Sequence, residues 1–596
     1  MTKQNNNQKN KTAFYAIALL IPVLFFLILE FGLRLIGFGT STPLFIENPA
    51  NPNYILPQPN ILQRYFPEGT EQPSVTMEAN FILKEKPANG YRIVVQGGST
   101  AAGFPYGLGA SIAGILDQRL KPSLPGRHVE VLNTAMSAVN SYTLIDIADE
   151  IIEQKPDAIM IYTGHNEYLG ILGVGSNYTA FGAGLSTTWF LKLKELSLFQ
   201  LMQKLSVAVI APDTEAPSNE KPGQQTQGSA RTFMAKVAKH KNIEKGSDLY
   251  DAGLEQFEKN ISALLQKYQR AGIPVFISTI ASNIKDQKPF VSAELESEYQ
   301  ASAQKLFASL EQQSKAQNIS SLKKVSLTLQ QSSSATLHFK LAQLALALGE
   351  SSIAKTHFDL AKEHDLLRFR APEAINHIIR EQAQKFDAIV VETQKELEIR
   401  SPDRIIGNNL MLEHLHPNLR GYFVVANSFY NSFAEFWQTQ GDNSPFSPIS
   451  IEQAWAERLI LPQEEYFGYA TILGLTSDYP FTDNPRKPRL PKPTDWQQQL
   501  GQDFYAKKIT WLNMMETSLK RYTLEENTKQ RNKTLQILAD ALPHQGLYNL
   551  QIAEVKFQQG RYNESLQYYQ RAKLAGAIGN TIDSNISTLE SILQKD

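Results

Sequence analysis

Four short segments of this 596-residue chain carry side chains whose types and spacing suit acyl transfer at a carbonyl carbon. The first is Gln96-Gly97-Gly98-Ser99-Thr100-Ala101-Ala102-Gly103, with Ser99 set among small residues. The second is Asn133-Thr134-Ala135-Met136-Ser137, the third Thr163-Gly164-His165-Asn166-Glu167, and the fourth Glu413-His414-Leu415-His416-Pro417-Asn418. A serine hydroxyl is a weak nucleophile until a base takes its proton, and His416 is the candidate base for Ser99. Such a base works better when a carboxylate holds its other ring nitrogen, and Glu413 lies three residues before it. The attacked carbonyl oxygen gains negative charge and needs donors aimed at it. The candidates are the Ser99 amide, an amide of the second segment near Ala135, and the Asn166 side chain. Taken singly, each segment has a plainer reading: a turn with a helix N-cap, Asn turn chemistry, or a His-Pro helix start. Their joint order along the chain makes them a set.

Each of the first three segments follows a run of strand-forming residues. Tyr91 to Gln96, His128 to Leu132 and Asp157 to Tyr162 read as strands, Ile273 to Ile277 as a fourth, and Asp387 to Val391 as a returning strand. Helical periodicity separates them. Ile112, Ile115, Leu116 and Leu120 share one face, a helix runs through Leu144 and Ile151, and Leu254, Phe257, Ile261, Leu264, Leu265 and Tyr268 keep register up to Gly272. Strands alternating with helices imply βαβ units and a parallel sheet covered on both faces. In such sheets ligand groups collect at the carboxyl ends of strands.

These segments resemble the SGNH or GDSL hydrolases. That family carries a nucleophilic Ser block after the first strand, a Gly block, a Gly-x-Asn block and a late Asp-x-x-His block. Ser99 matches the Ser, Asn166 the Asn and His416 the His. The flanking words from Gly97 to Pro105 and from Gly164 to Glu167 resemble a membrane-anchored branch that bears TPR repeats. The resemblance covers about residues 88 to 180, 245 to 290 and 385 to 435. It implies a three-layer α/β/α, flavodoxin-like parallel sheet, ester chemistry with Ser99, His416 and Glu413 as catalytic residues, and no cofactor. The chain departs from the family pattern at three positions. Ala135 stands where the second block usually has Gly, Gly98 replaces the Asp of Gly-Asp-Ser, and Glu413 replaces the Asp of the last block.

Two insertions interrupt the expected hydrolase domain of residues 88–435. Residues 176–247 hold an apolar, helix-like piece (Phe190 to Val209) and a Pro/Gln/Ser/Gly-rich linker near Ala211 to Ser229, whose composition opposes folding. Residues 292–383 read as helical. There Ala342, Gly349, Ala354, Phe358 and Ala361 form a pattern that recurs 211 residues later, as Ala553, Gly560, Ser565, Tyr569 and Ala572, inside a helical region of residues 450–596. Small residues where two helices cross, a Gly at the turn and an aromatic behind are the signature of a TPR helical hairpin. A single unit of that kind cannot bury its own face, so both are expected to lean on neighbouring helices, with a protein partner as one use of the remaining surface.

The N-terminus sets the address. Ala13 to Leu29 runs 17 positions without a charge. As a helix that is about 25 Å, against a bilayer core of about 30 Å, and Phe31 to Phe38 can finish the span. Glu30 and Arg34, four apart, can pair on one helix face. Lys3, Lys9 and Lys11 precede the run, which places residues 1–11 in the cytoplasm and the catalytic domain outside. Residues 12–38 are then an uncleaved transmembrane anchor and the Pro-rich residues 39–87 an extended linker. A cleaved signal peptide is the rival reading, for which Gly37-Phe38-Gly39-Thr40 is a poor small-x-small site.

Bulk composition narrows the partners. A net charge of −1, from 58 basic and 59 acidic side chains, gives no electrostatic reason to expect nucleic acid. The absence of cysteine excludes disulfides, thiolate chemistry and cysteine-ligated metal. Of ten histidines only His414 and His416 are close in sequence, beside Glu413, which is too few for a zinc site of usual spacing, so no metal is expected. The sequence points to a membrane-anchored serine esterase or O-acyltransferase acting on an acyl ester, with glycan or lipid substrates inferred from the address. Open beside it is an idle scaffold of the same fold that binds partner proteins through its TPR-like helices.

Overall fold

The computed structural model describes residues 3–39, 42–66, 76–176, 185–210, 232, 234, 236, 242–310, 312–439 and 445–594. They fall into two units, one drawn from residues 1–43, 60–74 and 180–230, the other from 44–59, 75–179 and 231–596.

The larger unit is mixed α/β. Strands β1 (Phe45–Glu47), β2 (Tyr54–Pro57) and β3 (Ile82–Leu83) form a small antiparallel sheet in the order β1-β2-β3. Strands β4 (Gly90–Gly97), β5 (His128–Asn133), β6 (Ala158–Tyr162), β7 (Val275–Ser278) and β8 (Ile389–Val391) form a five-stranded parallel sheet in the order β5-β4-β6-β7-β8. The runs that make it are continuous rather than alternating, because both faces are covered: Ile93, Val94 and Val95 of β4 are wholly buried, as are Ile159, Met160 and Ile161 of β6. Val94 sits opposite Leu132 on one side and Ile159 on the other. Helices Ile112–Ser123 and Leu419–Thr439 pack together and touch the sheet, as do Asp248–Arg270 and Glu373–Lys385. The helix expected through Leu144 and Ile151 is broken at Ile147 into Ser141–Asp146 and Ala148–Glu153.

The segment expected as an extended linker, residues 39–87, holds the antiparallel sheet instead. Buried Arg92 explains its place. The Arg92 guanidinium donates to the Leu83 carbonyl at 2.7 Å and to Glu130 Oε2 at 2.9 Å, while Glu130 Oε1 accepts from the Leu83 amide at 2.7 Å. This buried ion pair thus satisfies the edge of β3 and fastens it to β4 and β5. Pro57, which opposes helix, ends β2 opposite Phe45.

Residues 292–383 hold the helices Ser297–Ser309, Lys315–Leu329, Ala335–Leu348, Ser351–Glu363 and most of Glu373–Lys385. The recurring pattern falls on two helical hairpins. Ala342, Ala354, Ala553, Ser565 and Ala572 are wholly buried, and Gly349 and Gly560 end their first helices at φ of 87° and 72°, a left-handed conformation that glycine adopts freely. The linker from Ala211 to Ser229 lies outside the described residues.

In the smaller unit, helix Lys3–Leu35 contains an 18-residue stretch, Ala18–Leu35, with a mean hydropathy of 2.2, and it is long and apolar enough to cross a membrane. Glu30 and Arg34 pair at 2.6 Å, as their spacing allows. The apolar piece from Phe190 to Val209 is two helices, Leu185–Leu193 and Ser197–Ile210. The Glu30 carboxylate accepts the Ser197 and Leu198 amides at 3.0 and 2.8 Å, so it caps the second of them.

Candidate active site

At the end of β4 the chain turns through Gly97 and Gly98 into the short helix Ser99–Ala102. A Cβ on Gly97, at φ 157°, would stand 2.1 Å from the Tyr162 carbonyl oxygen, so only glycine lets the turn pass β6 this closely. Ser99 is left half-buried at the carboxyl edge of the sheet. More than three hundred residues later, Met411 and Pro417 bridge in antiparallel fashion, with the Leu412 amide bonded to the His416 carbonyl at 2.8 Å. That turn brings His416 Nε2 to 2.7 Å from Ser99 Oγ. His416 Nδ1 faces Glu413 Oε1 in a short hydrogen bond. With the ring proton assigned to Nδ1 on this network, Nε2 is the acceptor and the Ser99 hydroxyl donates to it.

Glu413 is held on all sides. Its Oε1 also accepts the His416 amide at 3.0 Å, and its Oε2 accepts the His414 amide at 2.7 Å and contacts His414 Nδ1. The His414 ring sits among the edges of Phe290, Phe369 and Phe481. Burial favours the neutral ring at both histidines and holds them below the ordinary histidine range. For His416 this preserves the form that can accept a proton. A carboxylate placed as Glu413 is works in the opposite sense, since its charge favours the imidazolium.

Donors suited to a developing oxyanion sit on three loops. The Ser99 amide, first in its helix, has no intrahelical acceptor. Asn166 Nδ2 donates to the Val139 carbonyl at 3.0 Å and lies 2.8 Å from where a Cβ on Gly98 would be, so the side chain reaches the nucleophile turn. The second loop differs from expectation. The Ala135 amide is buried and donates to Asn133 Oδ1 at 3.0 Å, and the next amide, of Met136, donates to the Gly97 carbonyl at 3.1 Å. Ala135 is therefore spent within its own turn. Three residues on, Ala138 adopts φ 65°, and no hydrogen bond among the described residues takes its amide.

Two neighbours of Asn166 hold the loops in place. Glu167 is wholly buried and accepts from Ser141 Oγ at 2.7 Å, the Ser141 amide at 3.2 Å and Gln256 Nε2 at 2.5 Å, tying the third loop to the helix that follows the second. Desolvation pushes its carboxyl up to about 7, against the lowering effect of those hydrogen bonds. His165 bridges the Ala281 carbonyl at 3.1 Å and the Ala371 amide at 3.4 Å, and burial pushes its ring down to about 3. Neither faces Ser99 in a hydrogen bond.

Glu413, His414 and His416 also place three ligand atoms within 4.8 Å of one another, the one such group among the described residues. Their hydrogen bonds to one another, to main-chain amides and to Ser99 already occupy these atoms, which suits an orienting carboxylate better than a metal centre.

Four contributors escape a reading of the sequence alone. They are Ala138, Glu167, His414 as the second anchor of Glu413, and Phe104, whose ring centroid lies 4.6 Å from that of His416. Glu167 and His414 had a signal in their adjacency to Asn166 and Glu413. Phe104 had only its place in the segment from Gly97 to Pro105, and Ala138 had none.

No family model matches the sequence, and no curated protein does. One solved structure to which the chain is similar is the crystal structure of an acetyl xylan esterase, AlAXEase, at 13% identity over 57% of this chain and 98% of that one, with a TM-score of 0.26.

Proposed function

We propose that this chain is a serine esterase or O-acyltransferase of the SGNH hydrolase type. The observation that carries the reading is the row Ser99 Oγ, His416 Nε2, His416 Nδ1, Glu413 Oε1, with 2.7 Å between its first two atoms. The strand order supports it: numbering the five parallel strands along the chain, the sheet runs 2-1-3-4-5, the flavodoxin-like order, and Ser99 lies at the carboxyl end of the first.

Ser99 Oγ attacks the ester carbonyl as its proton passes to His416 Nε2, and Glu413 steadies the imidazolium. The Ser99 and Ala138 amides and Asn166 Nδ2 receive the oxyanion, with Ala138 in place of Ala135. Collapse transfers the proton from His416 to the leaving alcohol and leaves acyl-Ser99. Water or an acceptor hydroxyl then attacks, with His416 again as base. An esterase and a transferase share the first half of this cycle and differ only in the second nucleophile.

Residues 12–38 serve as the membrane anchor, residues 1–11 lie in the cytoplasm, and the hydrolase domain (88–435) lies on the extracytoplasmic side, where acylated glycans or lipids are accessible. The two hairpins with the recurring pattern are TPR-like units, in residues 292–383 and 450–596. A fluorophosphonate probe should label the protein at Ser99, with labelling and ester turnover both lost in Ser99→Ala. Labelling at full strength in that variant removes Ser99 from the role of nucleophile.

A further inference from the structure

Within the larger unit a cavity of about 470 Å³ runs beside the edge strand β5, a volume in the range of small-molecule sites. At the end nearest Ser99 it is lined by Ala102, Phe104 and Ser137, from the loops that carry Ser99 and Ala138. Phe104 joins the two places, since it lines the cavity and its ring packs on His416. From there the helix Ile112–Ser123 supplies Gly114, Asp117 and Lys121, whose spacing of three and four puts them on one face. The C-terminal helices supply Phe467, Phe504 and Trp511, with the Phe467 and Phe504 rings 4.5 Å apart.

The far end is charged but already neutralised. Asp540 accepts from Lys121 at 2.7 Å, Arg571 at 2.9 Å and the Tyr568 hydroxyl at 3.0 Å, and Lys121 pairs with Asp117 as well. Neither cation is left for an anionic ligand. On the wall between, the Glu464 carboxylate is likewise engaged, accepting the Leu461 amide at 3.0 Å and Trp511 Nε1 at 3.2 Å. A sugar placed against the Phe104, Phe467, Phe504 and Trp511 rings would bury hydroxyls on apolar surface, a cost that an alkyl chain does not incur. Glu78, also in the lining, is raised by desolvation, which favours its neutral form beside such a chain.

We propose that this cavity holds the acyl chain of the ester substrate, a medium-length aliphatic chain whose carbonyl lies at Ser99 and whose methyl end stops at the Lys121–Asp540–Arg571 cluster. The assignment rests on the Ser99 reading and adds the class of acyl group to it. From Gly114 to Lys121 the helix rises about 10 Å. An extended chain advances about 1.2 Å per bond, so roughly eight bonds fit along this helix alone.

The full-length protein in detergent is assayed on p-nitrophenyl acetate, octanoate and palmitate, and kcat/KM is expected to peak at octanoate. Thr471 lines the cavity, and its hydroxyl bonds only within its own helix, to the Phe467 carbonyl at 2.9 Å. Thr471→Trp fills the space and should lower the octanoate-to-acetate ratio of kcat/KM by about tenfold or more, the weight of a methylene or more in an apolar pocket. Phe504→Ala, which enlarges the space, should move the preference toward palmitate. Unchanged chain-length preference in both variants overturns the assignment. Calorimetric titration of the Ser99→Ala protein with octanoate separates the two readings. Saturable binding weakened by Thr471→Trp, with no ester turnover in the parent chain, overturns the nucleophile and leaves the cavity assigned. Acetate turnover without saturable octanoate binding overturns the cavity alone.

Discussion

Glu413→Gln tests the orienting carboxylate with a change of one atom. Glu413 is 4% exposed, and its carboxylate receives four donors, two from His416 and two from His414. Glutamine replaces one oxygen with an NH₂ group, so whichever way it turns, a donor faces a main-chain amide. If the NH₂ faces His416, it also pushes the ring toward the tautomer that bears its proton on Nε2, where it cannot accept from Ser99. The loss of a charge-assisted bond costs about 1.5–3 kcal/mol, and a buried donor left unpaired costs about 1–3 kcal/mol more. Together they predict a fall in kcat/KM of about 10²- to 10⁴-fold, at about 1.4 kcal/mol per decade.

The pH dependence carries a second sign. Turnover needs neutral His416, and burial already lowers its pKa, which sets the acid limb below the ordinary 6.5 or so. Removing the negative charge of Glu413 destabilises the imidazolium further, so the limb should move to still lower pH. The assay is a kcat/KM–pH profile on a p-nitrophenyl ester, with thermal melts to confirm that the variant is folded. A folded Glu413→Gln enzyme with wild-type kcat/KM and an unmoved acid limb refutes the orienting role.

Asn166→Ala should lower kcat by about 10²-fold with little change in KM, as loss of an oxyanion donor does; a rise in KM at constant kcat would make Asn166 a ground-state contact instead. The helical insertion should lose stability in acid. His338 and His357 share a bond of 2.9 Å, His364 stacks on His338, and desolvation lowers all three, His357 and His364 to about 4. The unfolded state then binds more protons across roughly pH 6.5 to 4, so stability falls as pH drops through that window. A Tm–pH profile as steep in His357→Gln as in the parent chain would contradict this. A phosphatase fused after Asp596 should be active in a bacterial host, and an inactive fusion beside an active cytoplasmic reporter would place the catalytic domain inside.

The parallel sheet was legible because its strands are unbroken apolar runs, and Ile93-Val94-Val95 or Ile159-Met160-Ile161 has no comparable amphipathic alternative. Ser99, Asn166 and His416 stood out as candidates only through their joint order along the chain, since each alone has a plain reading as turn or helix-start chemistry. Other features left no local mark. A left-handed conformation is announced by glycine, and at position 138 the chain has alanine, so nothing local marks its amide. The antiparallel sheet depends on Arg92 and Glu130, which lie outside the Pro-rich stretch they organise. The cavity draws its walls from residues as distant as Phe104 and Arg571, a juxtaposition that only tertiary packing defines.

The separation of 317 positions between Ser99 and His416 bears on when reactivity arises. The two insertions make up roughly half of it, and each doubling of a closed loop costs only about 0.6 kcal/mol, so they weigh little on equilibrium stability. Their weight falls on the folding rate, because contacts between distant positions must await the closure of everything between them. On the proposed assignment, a nascent chain therefore carries its serine long before the base that would activate it is in reach.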